Sequence, residues 1–587
     1  MQERSEPVLL QRAFVGRERE LVQLRQGLTD AHAGAGRLFL ISGEPGIGKT
    51  RLAEELSIEA RGRGTRVIWG RCWAGDGAPA YWPWIQVVRS CLGEADGTRV
   101  DNLLKSGAAQ VTDLLPEMNQ LRRSPAVAPR LDAVPSADPE EARFRLFDAV
   151  ARQLKSIADA EPLMIMIDDL QQADQPSLLM LRFVARQLKE ARVLIVGSYR
   201  EAEVRNSPAL SRLIGEIAGD GHQVLLSGLK DSEIASWLQL RGGEDVSPTV
   251  ISALIGATGG NPLFIDGMLR MLAAEGQELS NGQLMIRELR LPENVRQTIR
   301  HRLSLLSKQA NEILSIAAVI GQEFEFECLR TVAGSSTVVI MEALNQARRD
   351  NLINLVLAGG VSYRFAHDLI RETIYDGLPA VARASLHLKI GQTFEAIHQS
   401  NLEPHLAELA HHYRESVIVG DPAKAIDYSI RAGEAAQAVF AYEQASTQWR
   451  TALALMESHE AENARRADLL RKIGVLIFYT SDYLEGIKYL EASLKLCTTV
   501  GNPHMTALAH AELGFARGTG SNFGLHISVP KALMHFRESE ALLANEEKPL
   551  TLAKVYLGSA RTALEALDPE QGLSAARHGM SLAERLQ

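Results

Sequence analysis

The run Gly43-Glu44-Pro45-Gly46-Ile47-Gly48-Lys49-Thr50 follows a short apolar strand, Leu38-Phe39-Leu40-Ile41, and leads into an amphipathic segment that starts at Arg51. Strand, glycine-rich loop and helix in that order specify an α/β sheet whose loop N–H groups turn inward around phosphates. In this reading Gly43, Glu44, Pro45, Gly46, Ile47 and Gly48 form the cradle and Lys49 faces the β- and γ-oxygens. The Thr50 hydroxyl would ligate Mg²⁺ at the helix N-terminus, and Arg51 extends the expected contacts into the first helical turn. An accidental glycine turn would leave the preceding strand and the following amphipathic segment unexplained. ATP or ADP with Mg²⁺ is the expected ligand.

A chain of 587 residues is too long for a single core, and at roughly 150 residues per domain several units are expected. With 46% hydrophobic and 23% charged residues the composition is that of an ordinary globular protein, and no apolar run approaches the roughly 20 residues that span a bilayer. The acidic start Met1-Gln2-Glu3-Arg4-Ser5-Glu6 is unlike a secretory signal, so a cytoplasmic location without membrane contact is expected. Cys72, Cys91, Cys328 and Cys497 form no close pair and read as reduced thiols. A net charge of −9 argues against a surface built mainly for nucleic acid.

Short strands alternate with helical patterns up to about Asn206, with candidates at Leu38–Ile41, Arg66–Trp69, Leu163–Ile167 and Val193–Val196. The stretch Gly93 to Asp138 reads as a helical insertion and loop. The expected fold is an α/β parallel-sheet core over 1–224, a helical lid over 225–290, a winged helix over 291–385 and an all-α helical solenoid over 386–587. The winged helix is read from helices Val295–Leu306 and Ala310–Val319, followed by Asn351–Val356, a turn at Gly359-Gly360 and Val361–Phe365. The solenoid is read from Gly433, Gly474, Gly514 and Gly558, spaced by roughly 40 residues. The last residues stop inside an amphipathic helix, so the natural protein is expected to continue past Gln587.

Leu163 to Ile167 is an apolar strand that ends in Asp168-Asp169, and two carboxylates at the end of a buried strand need a reason. Mg²⁺ supplies one: Asp168 would hold the ion and Asp169 would orient or deprotonate the attacking water. The following strand ends at Arg200, which either reads the γ-phosphate at the C-terminal edge of the sheet or is a solvated strand-end arginine. Asp174 reads as a helix cap.

Phe14-Val15-Gly16-Arg17-Glu18, the phosphate loop, Asp168 to Asp174, Tyr199-Arg200, Gly259-Gly260-Asn261-Pro262-Leu263-Phe264 and Phe365-Ala366-His367-Asp368 together resemble the STAND class of AAA+-like signal-transduction ATPases. The likeness is to the bacterial branch of LuxR-type regulators and cyclase-associated ATPases with TPR-like repeats; Gln171-Gln172 departs from it, standing where His-Trp is common. The resemblance implies that Val15 and Gly16 approach the adenine, that Pro262 packs on the nucleotide and that His367 sits near the β-phosphate of ADP. A histidine at a helix start is as often a cap or a surface residue, so both readings of His367 stand.

It also implies a slowly hydrolysing ATPase switch, in which an effector or partner protein on the repeats favours an ATP-bound form able to self-associate and to regulate an output such as transcription. DNA contact would need a module outside these residues, since Val295–Leu306 is only mildly basic. A scaffold that recruits partners without switching, or a regulatory ATPase of a cyclase system, is the alternative.

Overall fold

A computed structural model describes residues 14–73, 77–92, 111, 114–115, 139–240, 248–274, 295–356, 361–456, 463–480, 483–518, 528–543, 549–565 and 568–584. Most of the expected insertion at 93–138, the turn at Gly359-Gly360 and the last three residues lie outside them.

Five parallel strands form the central sheet: β1 (Arg37–Gly43), β2 (Arg66–Arg71), β3 (Leu163–Asp168), β4 (Val193–Tyr199) and β5 (His222–Leu226), in the spatial order β2-β3-β4-β1-β5. All of β3 and β4 is buried, as parallel strands covered on both faces require, which is why they read as continuous apolar runs. The strand β5 was not expected. It lies at the edge, buries only Val224 and Leu226, and begins with polar residues, so its pattern is weak; it also crosses the expected boundary at 224.

Helices α1 (Glu18–His32) and α2 (Lys49–Gly62) cover one face through Leu24, Leu28, Leu52 and Leu56, which pack with Met164, Met166, Leu194 and Val196. Also part of this core are α3 (Trp82–Leu92), α4 (Pro139–Ala160), α5 (Gln175–Gln187), α6 (Glu201–Arg205) and α7 (Pro208–Ala218). Asp174 accepts from the Ser177 N–H at 2.9 Å and so caps α5, with Pro176 in its first turn.

Helices α8 (Asp231–Leu240), α9 (Pro248–Thr258) and α10 (Pro262–Ala274), in the span expected to form a lid, pack around Ile234, Leu238, Leu254, Ile265 and Leu269. Gly259 and Gly260 both have positive φ, and a Cβ on Gly260 would sit 2.5 Å from the Leu229 carbonyl oxygen. Only glycine fits that crossing of backbones.

Helices α11 (Val295–Ser304), α12 (Lys308–Ile320), α13 (Phe326–Ala333) and α14 (Thr337–Arg349) accompany an antiparallel sheet of β6 (Glu323–Glu325), β7 (Ile353–Val356) and β8 (Ser362–Phe365), ordered β6-β8-β7. The expected hairpin is β7 and β8; β6, three residues long, adds a strand too short to announce itself. Then come α15 (Asp368–Asp376), α16 (Ala380–Ile397) and α17 (Leu406–Glu415). Helix α16 runs across the expected boundary at 386, and the first compact unit extends to Gly420.

The second unit takes in Arg130–Arg143 and Asp421–Gln587, and over the described residues of the latter span its helices pack in consecutive pairs: α18 (Pro422–Ala438) with α19 (Tyr442–Met456), α20 (Asn463–Thr480) with α21 (Tyr483–Val500), α22 (Pro503–Gly518) with α23 (Val529–Leu543), and α24 (Pro549–Glu565) with α25 (Pro569–Glu584). Each of the four periodic glycines lies on the first helix of its pair. A Cβ on Gly433, Gly474 or Gly514 would meet Trp449, Leu490 or Phe536 on the second helix at 2.3, 2.8 and 2.8 Å. Gly558 packs instead on Phe536 of the preceding pair. The period therefore marks where helices touch most closely.

Candidate active site

Gly43, Gly46 and Gly48 have φ of 152°, 79° and 102°, so the loop between β1 and α2 adopts a path closed to residues with a Cβ. Lys49 opens α2, is buried, and donates through Nζ to the carbonyls of Gly43 at 3.1 Å and Glu44 at 3.0 Å. Burial and the nearby Arg200 guanidinium hold its ammonium below the ordinary lysine range, against the pull of Asp169 and Asp168. A desolvated cation over a glycine cradle suits a polyanion.

The Thr50 hydroxyl donates to Asp168 Oδ2 at 3.1 Å, which joins the two expected metal ligands across 118 residues of sequence. Ser198, on β4, donates its hydroxyl to the other oxygen of Asp168 and accepts from the Asp169 N–H at 3.0 Å. Burial, with Asp169 alongside, pushes the Asp168 carboxyl up to about 6, against the Ser198 hydrogen bond and the Arg71 charge. A buried carboxylate beside a hydroxyl at the head of the phosphate-loop helix is the oxygen donor pair that Mg²⁺ requires. When bound, the ion would supply charge neutralisation to the phosphates.

Asp169 has φ of 60°, so the chain makes a left-handed turn directly after Asp168. Gln171 fixes this turn: its amide donates to Asp169 Oδ1 at 2.8 Å, and its oxygen accepts from the Arg200 N–H at 3.0 Å. Gln171 is thus a buried bridge between Asp169 and Arg200. Gln172 donates to Glu203 at 3.2 Å.

Arg200 is buried, and its guanidinium is engaged on every side. Glu203 lies at 2.7 Å, Glu372 at 3.6 Å and Asp169 at 3.7 Å, and Asp368 accepts a charge-assisted hydrogen bond. It is not a solvated strand-end arginine. Asp368 is the first residue of α15, whose cap is His367; Nδ1 of that histidine accepts from the Leu369 N–H at 3.2 Å. His367 also stands close enough to Arg200, Lys49 and Asp169 to feel their charges, and burial and Arg200 hold it down to about 4, neutral near pH 7. The structure thus makes His367 the cap of α15 and buries it within reach of the Arg200, Asp169 and Lys49 charges.

Neither Asn261 nor Arg17 was among the expected ligands, although both lie in the quoted motifs. The Asn261 amide donates to the Pro45 carbonyl at 2.9 Å and its oxygen accepts from the Leu263 N–H at 3.1 Å. Pro262 is the first residue of α10 and half-buried, and a Cβ on Gly46 would strike Leu263 at 2.8 Å, so α10 rests on the loop itself. Arg17, with φ of 66°, donates to the Ile47 carbonyl at 3.2 Å, and its N–H donates to Glu233 of α8 at 3.2 Å. Val15 is half-buried beside Gly16, against which Glu233 packs. Arg51 turns towards the Phe14 ring, 5.9 Å away, and pairs with Glu54 and Glu55 of its own helix. Among the described residues no cluster of histidine, cysteine and carboxylate groups could hold a further metal ion, and no helix is long and apolar enough to cross a membrane.

An uncharacterised protein of Rhizobium meliloti (strain 1021) is 24% identical over 404 residues, which is 66% of this chain and 37% of that protein. The chain therefore spans little more than a third of the relative it matches. Among solved structures, a signal transduction ATPase with numerous domains and a tetratricopeptide repeat sensor from Pyrococcus horikoshii aligns over 98% of this chain and 77% of its own at 14% identity and a TM-score of 0.43. AMPPCP-bound DnaA from Aquifex aeolicus aligns over 58% and 91% at 17% identity and a TM-score of 0.27. Residues 13–196 match the family model described as the AAA ATPase domain, a span that holds the phosphate loop, Asp168 and Asp169 and ends just before Ser198 and Arg200.

Proposed function

We propose that this chain is a nucleotide-operated switch: an ATPase of low turnover whose bound nucleotide sets whether α15 stays docked on the phosphate side of the sheet. The observation that carries this reading is the hold of Asp368 on Arg200. A guanidinium has one set of donors, and those given to Asp368 are withheld from a γ-phosphate. ATP and the docked α15 therefore compete for one arginine, whereas ADP, without a γ-phosphate, leaves the pair intact. His367, neutral and within reach of the Lys49 charge, would add a contact to the diphosphate. To invert a 1:99 equilibrium the competing contacts must differ by about 5.5 kcal/mol in all, which is why an effector acting on the helical pairs would be needed as well. Self-association of the released form and control of transcription are the outputs this reading carries.

Asp368→Asn tests it. The variant keeps the size of the side chain and removes its charge, so affinity for an ATP analogue should rise by about tenfold relative to ADP, roughly the worth of one charged hydrogen bond. Calorimetric titration of both nucleotides into wild type and variant reads the ratio. An unchanged ratio, with both nucleotides bound, removes the competition and leaves a nucleotide-holding scaffold or a cyclase-linked ATPase as the better account.

A further inference from the structure

Arg71 also stands at the C-terminal edge of the sheet, and nothing in the switch described above uses it. It closes β2 directly opposite Asp168 in the parallel register, and the N–H of the next residue, Cys72, donates to the Asp168 carbonyl at 3.0 Å. Val67 and Trp69 of β2 pack into the same cluster as Met164 and Met166 of β3. Because side chains alternate along a strand, Arg71 and Asp168 share that face, towards α2 and its Thr50. The Gln86 side chain clamps the Arg71 backbone from both sides, donating to its carbonyl at 2.8 Å and accepting from its N–H at 3.2 Å.

The two arginines differ in what surrounds their charge. Four carboxylates hold Arg200. The half-buried Arg71 guanidinium stacks on Trp69, 5.2 Å from the ring centre, and among the described residues no carboxylate forms an ion pair with it. Of the charges it feels, the repulsion of Arg364 of β8, itself bonded to Glu323 at 3.0 Å, is the largest. Burial and Arg364 hold Arg71 below the ordinary arginine range, against the attraction of Asp168, Glu323 and Glu54. A desolvated cation with a cation for a neighbour gains when an anion reaches it.

We infer that Arg71 is a phosphate-recognition residue, which binds the terminal phosphate of a nucleoside triphosphate from the Asp168 side of the site while Arg200 is still held by Asp368. The inference rests on the switch reading and adds to it a way for the docked form to tell ATP from ADP before Arg200 is released. Planar guanidinium donors match phosphate oxygens in pairs, which an ammonium cannot reproduce.

The test is titration of Mg²⁺ with the β,γ-imido analogue of ATP, and separately with ADP, into wild type, Arg71→Ala, Arg71→Gln and Arg71→Lys, with melting temperatures taken in parallel. Arg71→Ala and Arg71→Gln should weaken the analogue about tenfold and ADP by less than about twofold, and Arg71→Lys should recover part of the loss. A residue that only props the strand would weaken both nucleotides together and lower the melting temperature. Equal shifts for the two nucleotides, or none, overturn the assignment, and the glutamine variant, which keeps a stem over Trp69, gives this answer even where alanine disturbs folding. A wild type that binds neither nucleotide overturns the switch and Arg71 together, whereas tight wild-type binding with unaltered selectivity in the variants overturns Arg71 alone.

Discussion

At the scale of single residues the site is a set of buried charges, and Lys49 shows what one of them is for. Its ammonium is buried and rests on two carbonyl oxygens, partners that carry no net charge. Lys49→Ala should leave the fold intact, since the loop path is set by its glycines, and should weaken ATP and ADP by at least about a hundredfold through loss of a charge-assisted contact to the phosphates. Nucleotide retained through gel filtration at wild-type stoichiometry would move the site elsewhere. Lys49, Thr50 and Asp168 were legible in the sequence because a loop and a strand end advertise them locally. Ser198 and Gln171 were not, since a serine inside a strand and a glutamine in a turn carry no signal until β3 and β4 are side by side.

At the scale of elements, the glycines of the second unit divide by what faces them. Gly433 lies in α18, where an added Cβ would be 2.3 Å from Nε1 of the fully buried Trp449, whose N–H donates to the Ile430 carbonyl at 3.2 Å. Gly433→Ala should destabilise the unit by about 1–3 kcal/mol, overpacking outweighing the better helix propensity of alanine. In the first unit Gly215 of α7 has nothing within 4 Å of an added Cβ, so Gly215→Ala should raise stability by up to about 1 kcal/mol. Opposite shifts in denaturation midpoint are the expected pair; a Gly433 variant as stable as the parent would show that its spacing is accidental. The repeat period was visible in the sequence for this packing reason, while the short edge strands β5 and β6 were not, because few residues and one buried face leave little pattern.

For the whole molecule, the first unit holds a histidine cluster where α15, α16 and α17 meet. The Tyr375 hydroxyl and His387 Nε2 are 2.9 Å apart, His387 Nδ1 and His412 Nδ1 are 2.8 Å apart, and His411 hydrogen-bonds Arg414 at 3.1 Å. Burial, with Arg371 and Arg414 close by, pulls His387 and His411 down to about 3, and burial among the other two histidines holds His412 well below the ordinary histidine range. The unfolded chain takes up these protons near pH 6.5 and the folded unit does not, so the stability they contribute is complete above that pH and declines as pH falls towards 3. Each group then removes about 1.4 kcal/mol per pH unit, and the denaturation midpoint should drop sharply between pH 7.5 and pH 5.5. Equal midpoints at the two pH values would mean that the cluster is solvated. Phosphate loop, strand-end carboxylates, alternating strands and glycine period were determined by the sequence alone, because each is a pattern among neighbours that local geometry must obey. The ion pair of Arg200 with Asp368, 168 residues away, and the placing of Arg71 opposite Asp168 were decided only by tertiary structure, since which charges meet depends on how separate elements pack and not on any spacing along the chain.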